Sequence, residues 1–169
     1  DGQYLRHALT DQATSVKHEL ARALKDGPGV VAIKAAYEDL SVIDHTTSLF
    51  REIVTEEKMG SDGKGDHFGS NERIWNAIQK ACVKDPSLFV DYFSNPILAV
   101  VCEAWLGPYY RITSQMNNVK PGNKAQSVHR DYHLGFQSVE TTQRFPAHTQ
   151  VISQYLTLQG AIAHVDMPL

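Results

Sequence analysis

The sequence predicts an α+β domain, helices first and a largely antiparallel sheet after them. Apolar residues recur at helical spacing as far as Leu106, where Gly107-Pro108 breaks the pattern and short β-prone runs separated by turns take over. From Gln150 to Val165 there is no Asp, Glu, Lys or Arg. Over that stretch Val151, Ile152, Tyr155, Leu156, Leu158, Ile162 and Val165 alternate loosely with Ser, Thr and Gln, the pattern of a long strand or a pair of strands.

Leu9-Thr10-Asp11 followed by Val16, Leu20, Ala23 and Leu24, closed by Asp26-Gly27-Pro28, reads as a capped helix of about four turns. Gly29-Val30-Val31-Ala32-Ile33-Lys34 then reads as a short buried strand. Between Leu40 and Lys58, Val42, Ile43, Leu49, Phe50, Ile53 and Val54 share one helical face. Four of the eleven glycines fall between positions 60 and 69, the composition of a loop or an active-site lid. Ser70 or Asn71 is placed to cap a third helix carrying Ile74, Ile78 and Ala81, and Pro86 and Pro96 stand where two further helices begin. Past Pro108, the runs Tyr109–Thr113, Val119–Asn123 and Gln126–His129 read as two strands around the Pro121-Gly122 turn.

With 169 residues, 42% hydrophobic and 21% charged, the chain suits one compact domain, 1–169, mostly helical over 1–107 and strand-rich over 108–169. A formal charge of -3 without a basic cluster argues against a nucleic-acid partner. No apolar run reaches the roughly 18–20 residues of a membrane span, and Asp1-Gly2-Gln3-Tyr4-Leu5-Arg6 lacks the order of a signal peptide. The expectation is a soluble, cytoplasmic protein with no membrane partner. Cys82 and Cys102, in helix-like apolar stretches without CxxC spacing, are expected to be buried free thiols. A start on Asp1 and a stop at Leu169, where a strand runs into a turn, suggest the N-terminal portion of something longer.

Nucleotide and hydrolase signatures (GxGxxG, GxxxxGK[ST], GxSxG, HExxH) are missing, which leaves the eight histidines as carriers of chemistry. Two His-x-Asp triplets occur, His129-Arg130-Asp131 and His164-Val165-Asp166. In a strand, residues i and i+2 face the same side, so either triplet can aim an imidazole and a carboxylate into one cavity, two-thirds of a 2-His-1-carboxylate iron site. The first lies after a Pro-Gly turn in the polar and aromatic run Ala125–Gln137; the second ends an uncharged strand, where a turn Asp before Pro168 is ordinary. His133 fits a solvated neighbour or a substrate contact, and Asp66-His67-Phe68, with Asn71, Arg73 and Trp75, fits a lid or plain loop and cap chemistry. His7, His18, His45 and His148 read as exposed side chains. Tyr109, Tyr110, Tyr132 and Phe136 suit a partly apolar pocket or the core.

The helix end Trp105-Leu106-Gly107-Pro108, Val119-Lys120-Pro121-Gly122, Ala125-Gln126 and His129-Arg130-Asp131-Tyr132 together resemble the phytanoyl-CoA dioxygenase family of Fe(II)/2-oxoglutarate oxygenases, over roughly residues 70 to 168 and most sharply between 105 and 137. The resemblance implies a double-stranded β-helix (jelly-roll, cupin-like) core with flanking N-terminal helices, residues 108–169 supplying its first strands. It implies His129 and Asp131 as metal ligands and catalytic residues, and Gln126 and Asn118 as residues facing 2-oxoglutarate. A second metal His and an Arg for the far carboxylate are expected beyond Leu169, His164 being too early for that role.

The implied cofactors are Fe(II), the cosubstrate 2-oxoglutarate and O2. The implied activity is oxidation of a C–H bond in a small organic substrate, with succinate and CO2 as co-products. Asp131 fills the position that related halogenases leave to halide, which favours hydroxylation. The alternatives are a non-catalytic jelly-roll binding or scaffold protein with an incomplete iron site, and a zinc hydrolase using His129, Asp131 and His164.

Overall fold

A computed structural model describes residues 13–60, 71–123 and 127–166. The first helix, α1 (Ala13–Lys25), buries Val16 and Leu20 against Ile97 and Val100 of α5 (Pro96–Leu106). It ends as the Asp-Gly-Pro sequence requires, with the Asp26 and Gly27 amides both donating to the Arg22 carbonyl, at 2.8 and 3.1 Å.

The strand expected over 29–34 does not form. The chain there is irregular; Val31 and Ile33 lean on the α1–α5 cluster and Val30 stays exposed. A β-branched run becomes a strand only beside another strand, and here its neighbours are two helices.

Helix α2 (Ser41–Gly60) opens with the Asp39 carboxylate accepting from the Ser41 amide at 2.9 Å. Its buried stripe of Leu49, Phe50, Ile53 and Val54 forms a second cluster with Ile74, Ala77 and Ala81. Ile74 belongs not to the helix expected from 70 or 71 but to a short strand, β1 (Glu72–Ile74). This strand pairs antiparallel with β2 (Met116–Asn118), matching Glu72 to Asn118, Arg73 to Asn117 and Ile74 to Met116. The helix starts later, as α3 (Ala77–Lys84), after Asn76 turns through the left-handed region at φ 55°. Pairing with β2 and full burial of Ile74 outweigh the helical spacing of Ile74 and Ile78, and Ser70 lies outside the described residues.

Prolines at the first helical position start α4 (Pro86–Phe93) and α5 as expected. Asp85 accepts from the Leu88 amide at 2.9 Å, and Asn95 Oδ1 accepts from Ile97 at 2.8 Å and Leu98 at 3.4 Å. Gly107, at φ 76°, ends α5 in a conformation that a side chain disfavours. Both cysteines are free; they are half-buried rather than fully enclosed.

Beyond Gly107 the expected strands are mostly irregular. Residues 110–115 and 127–129 carry no ladder, and position 126 lies outside the described residues. The uncharged stretch begins as a helix, α7 (Ala147–Tyr155), preceded by the single turn α6 (Val139–Thr142). The polar residues read as the outer positions of a strand instead fold back on the helix: Ser153 donates to the Thr149 carbonyl and Gln154 to the Gln150 carbonyl, at 2.7 and 2.8 Å. Among the described residues, no helix is long and apolar enough to cross a membrane.

Candidate metal centre

The segment after the Pro121-Gly122 turn is held by backbone closures, not by a sheet. The Tyr132 amide donates to Arg130, Gly135 to Tyr132 and Gln137 to Leu134, within 2.9–3.1 Å. Leu134 is its buried anchor, and Gly135 passes so close to Arg130 that a Cβ would stand 1.6 Å from the Arg130 carbonyl oxygen.

This folding brings His129 and Asp131 together, with Nε2 and Oδ1 3.4 Å apart. His129 Nδ1 lies 2.6 Å from the Ser127 carbonyl, which can only accept, so Nδ1 carries the hydrogen. Phe136 stacks on the imidazole at 4.3 Å between ring centres and 23° between planes. The imidazole side chain is 13% exposed and the carboxylate 56%, so one donor is sheltered and the other open to solvent.

The donor chemistry suits a cation. With Nδ1 protonated, the Nε2 lone pair would face a carboxylate oxygen, an arrangement that repels unless positive charge lies between them, as a proton on Nε2 or as a metal ion. The Ser127 carbonyl fixes the tautomer in the way typical of metal-bound histidines.

Other residues singled out in the sequence lie elsewhere. Asn118 Nδ2 donates to Glu72 Oε2 at 2.8 Å, so its partner is Glu72 and not the His129–Asp131 pair. Glu72 also receives Lys58 and Lys120, at 2.9 Å for the latter, and together these donors hold its carboxyl well below the usual range, at about 2. Asn71 accepts from the Lys120 amide at 3.0 Å and from the Asn123 side chain at 2.6 Å, tying β1 to the turn before the His-x-Asp segment. Gln126 and the Asp66-His67-Phe68 stretch lie outside the described residues. His133 is exposed and meets the Phe145 ring edge-on at 5.8 Å.

His164 has both nitrogens committed. The Thr47 hydroxyl donates to the Ile43 carbonyl at 2.8 Å, so at 2.8 Å from His164 Nδ1 it accepts, leaving Nε2 to accept from the Tyr92 hydroxyl at 2.8 Å. Burial pushes the His164 pKa down, in keeping with a neutral ring. An imidazole spent on two hydroxyls has no lone pair for zinc or iron, and this removes the reading that combined His164 with His129 and Asp131.

Sequence reasoning missed three supports of the centre. Gly135 and Leu134 shape its loop, and Arg130, the middle residue of the triplet, donates to Gln154 of α7. The Leu-Gly pair shortly after the triplet was the readable signal; the Arg130 partner had none, because a contact between residues 24 apart leaves no local pattern.

An imidazole and a carboxylate two residues apart, with the tautomer fixed from behind, have the donor chemistry that mononuclear metal sites use, and among the described residues no third His, Cys, Asp or Glu joins them in a metal-holding group. The sequence model of phytanoyl-CoA dioxygenase (PhyH) matches residues 17–169, and the chain belongs to that family. The family generally has a jelly-roll fold and the activity of Fe(II)/2-oxoglutarate-dependent oxygenases, which use Fe(II), 2-oxoglutarate and O2. No curated protein and no solved structure matches the chain.

Proposed function

We propose that the protein is an Fe(II)/2-oxoglutarate-dependent dioxygenase that oxidises a C–H bond of a small organic substrate. The observation that carries this reading is the meeting of His129 Nε2 and Asp131 Oδ1 at 3.4 Å, inside the segment that the family match spans. In the working enzyme His129 and Asp131 hold the iron, Ser127 keeps the imidazole in its binding tautomer, and Phe136 screens one ring face from water. Iron with 2-oxoglutarate and O2 supplies the oxidation itself, with succinate and CO2 as co-products. Asn118 and Gln126 serve the 2-oxoglutarate, and the substrate side is drawn from the aromatic groups of the same segment.

The fold proposed for the working protein is the family's jelly roll. Its support is the set of large apolar side chains left in water after Gly107: Val128, Val151, Ile152, Leu156 and Val165 are each more than half exposed. Such side chains belong against a second layer.

Succinate release and O2 consumption by the full-length protein with Fe(II) and 2-oxoglutarate test the assignment. His129→Ala and Asp131→Ala are each expected to abolish both signals and stoichiometric Fe(II) binding. Turnover that survives either substitution moves the centre elsewhere. A wild-type protein that binds neither iron nor 2-oxoglutarate is a non-catalytic jelly roll.

A further inference from the structure

A cleft away from the His129–Asp131 pair lies between the last two turns of α1 and the end of α5, with α7 as its third wall. Its volume is about 470 Å³, within the range that holds a small ligand. One wall is aromatic: Trp105 and Tyr155 stand 5.8 Å apart at 33°, and Trp105 is fixed by its Nε1–H donating to the Thr157 carbonyl at 3.0 Å. The facing wall carries His18, Arg22 and Lys25, spaced i, i+4 and i+7 along one side of α1. Between the walls Ala21 and Ala104 leave the space open.

Among the described residues the cations are not spent on other contacts. Lys17, on the same helix, pairs with Glu103 across the α1–α5 contact, whereas Arg22 and Lys25 have no ion pair among the described residues. Nor are they needed to satisfy the end of α1, because the Arg22 and Ala23 carbonyls already accept from the Asp26, Gly27 and Gly29 amides. Asp26 at the rim is one carboxylate against two permanent cations, so the cleft is net positive.

We propose that this cleft is a binding site for a small aromatic monoanion, its ring laid on Trp105 and Tyr155 and its carboxylate or comparable charge directed at Arg22 and Lys25. The aromatic wall supplies area and orientation. The cations decide between an acid and its neutral amide. Being solvent-exposed, they do so by a factor of about five to ten, and increasingly so at low salt. Nothing in the site depends on iron, so it stands or falls separately from the oxygenase reading.

The probes are 2-naphthoate and the neutral, equally sized 2-naphthamide, titrated against the full chain carrying Trp75→Phe so that fluorescence reports Trp105 alone. Saturable quenching by naphthoate, about five- to tenfold tighter than by the amide, is expected. In Arg22→Gln/Lys25→Gln, two exposed changes that leave the fold intact by circular dichroism, that preference should vanish while amide binding persists. Tyr155→Leu should weaken both probes. Equal affinity for acid and amide, an unchanged preference in the double variant, or no saturable quenching by naphthoate each overturns the site.

Discussion

His164 shows what a buried histidine does when it is not a ligand. Thr47 of α2 and Tyr92 of α4 hold its two nitrogens, and Phe50 packs near its ring at 5.9 Å, so one residue fastens the chain after α7 to two helices. Burial lowers its pKa below the ordinary 6.5. As pH falls below that value the unfolded chain takes up a proton that the folded ring resists, so stability is fully present above about 6.5 and declines beneath it. His164→Gln keeps an uncharged donor and acceptor. It is expected to cost about 1–2 kcal/mol near neutral pH and to remove the decline of unfolding free energy that begins beneath about pH 6.5; an unaltered decline in urea titrations assigns it to another group. Gly135 presents the opposite case, a residue whose value is having no side chain. A methyl group there meets the Arg130 carbonyl, which belongs to the triplet itself, so Gly135→Ala must displace the backbone between His129 and Asp131. Fe(II) affinity should fall about 10–100-fold, as when a support of a metal ligand is removed, with the melting temperature little changed because the loop contributes one buried residue, Leu134.

At the scale of elements, the helices bounded by a local start or stop signal were readable, whereas the start of α3, the helix α7 and the strands were not. The Asp26-Gly27-Pro28 stop, Pro86, Pro96 and Leu106-Gly107 each act on the backbone within one turn, and the helices they bound stand where the sequence put them. A strand needs a partner that can lie anywhere in the chain. Gly29–Lys34 has β-branched residues but no neighbouring strand, while Glu72–Ile74, inside a helical pattern, found Met116–Asn118. The approach of His129 to Asp131 was expected from strand geometry, whereas the structure makes it in an irregular segment closed by turns; its tautomer and its Phe136 cover had no sequence signal. Asn95 serves two elements of the helical half at once. Its buried side chain caps two amides of α5 and also donates to the Ala36 carbonyl at 2.9 Å, joining α5 to the connection before α2. Asn95→Ala removes the cap and the bond to the half-buried Ala36 carbonyl, a combined loss of about 1–3 kcal/mol. Asn95→Asp, which keeps the cap but faces Ala36 with an acceptor, should lose at least half as much. Equal stability of the Asn95→Asp variant and the wild type in denaturant titrations would show that the Ala36 bond contributes nothing.

Across the molecule, the α1–α5 cluster and the α2–β1–α3 cluster are separate buried groups, and the chain after Gly107 is fastened to them by the β1–β2 ladder, by Met116 packed on the second cluster and by polar contacts. Glu72 makes several of these polar contacts. It gathers Lys58 from the end of α2, Asn118 from β2 and Lys120 from the turn leading toward the metal centre, and only 18% of its side chain is exposed. The donors bring its pKa from the ordinary 4.5 to about 2. Between those values the unfolded chain binds a proton that the folded one does not, so the contribution of Glu72 is complete above about pH 4.5 and is lost as pH falls toward 2. After screening at this partly open site, it amounts to about 1–2 kcal/mol. Acid unfolding is therefore expected in two windows, the His164 decline beneath 6.5 and a second loss beneath 4.5. Glu72→Gln should flatten the second alone, leave the first intact, and weaken 2-oxoglutarate more than Fe(II) because it frees Asn118 and Lys120 rather than His129. A variant that weakens both equally, or that leaves the limb beneath pH 4.5 unchanged, would mean that the Glu72 cluster is not the joint between the helical half and the candidate centre.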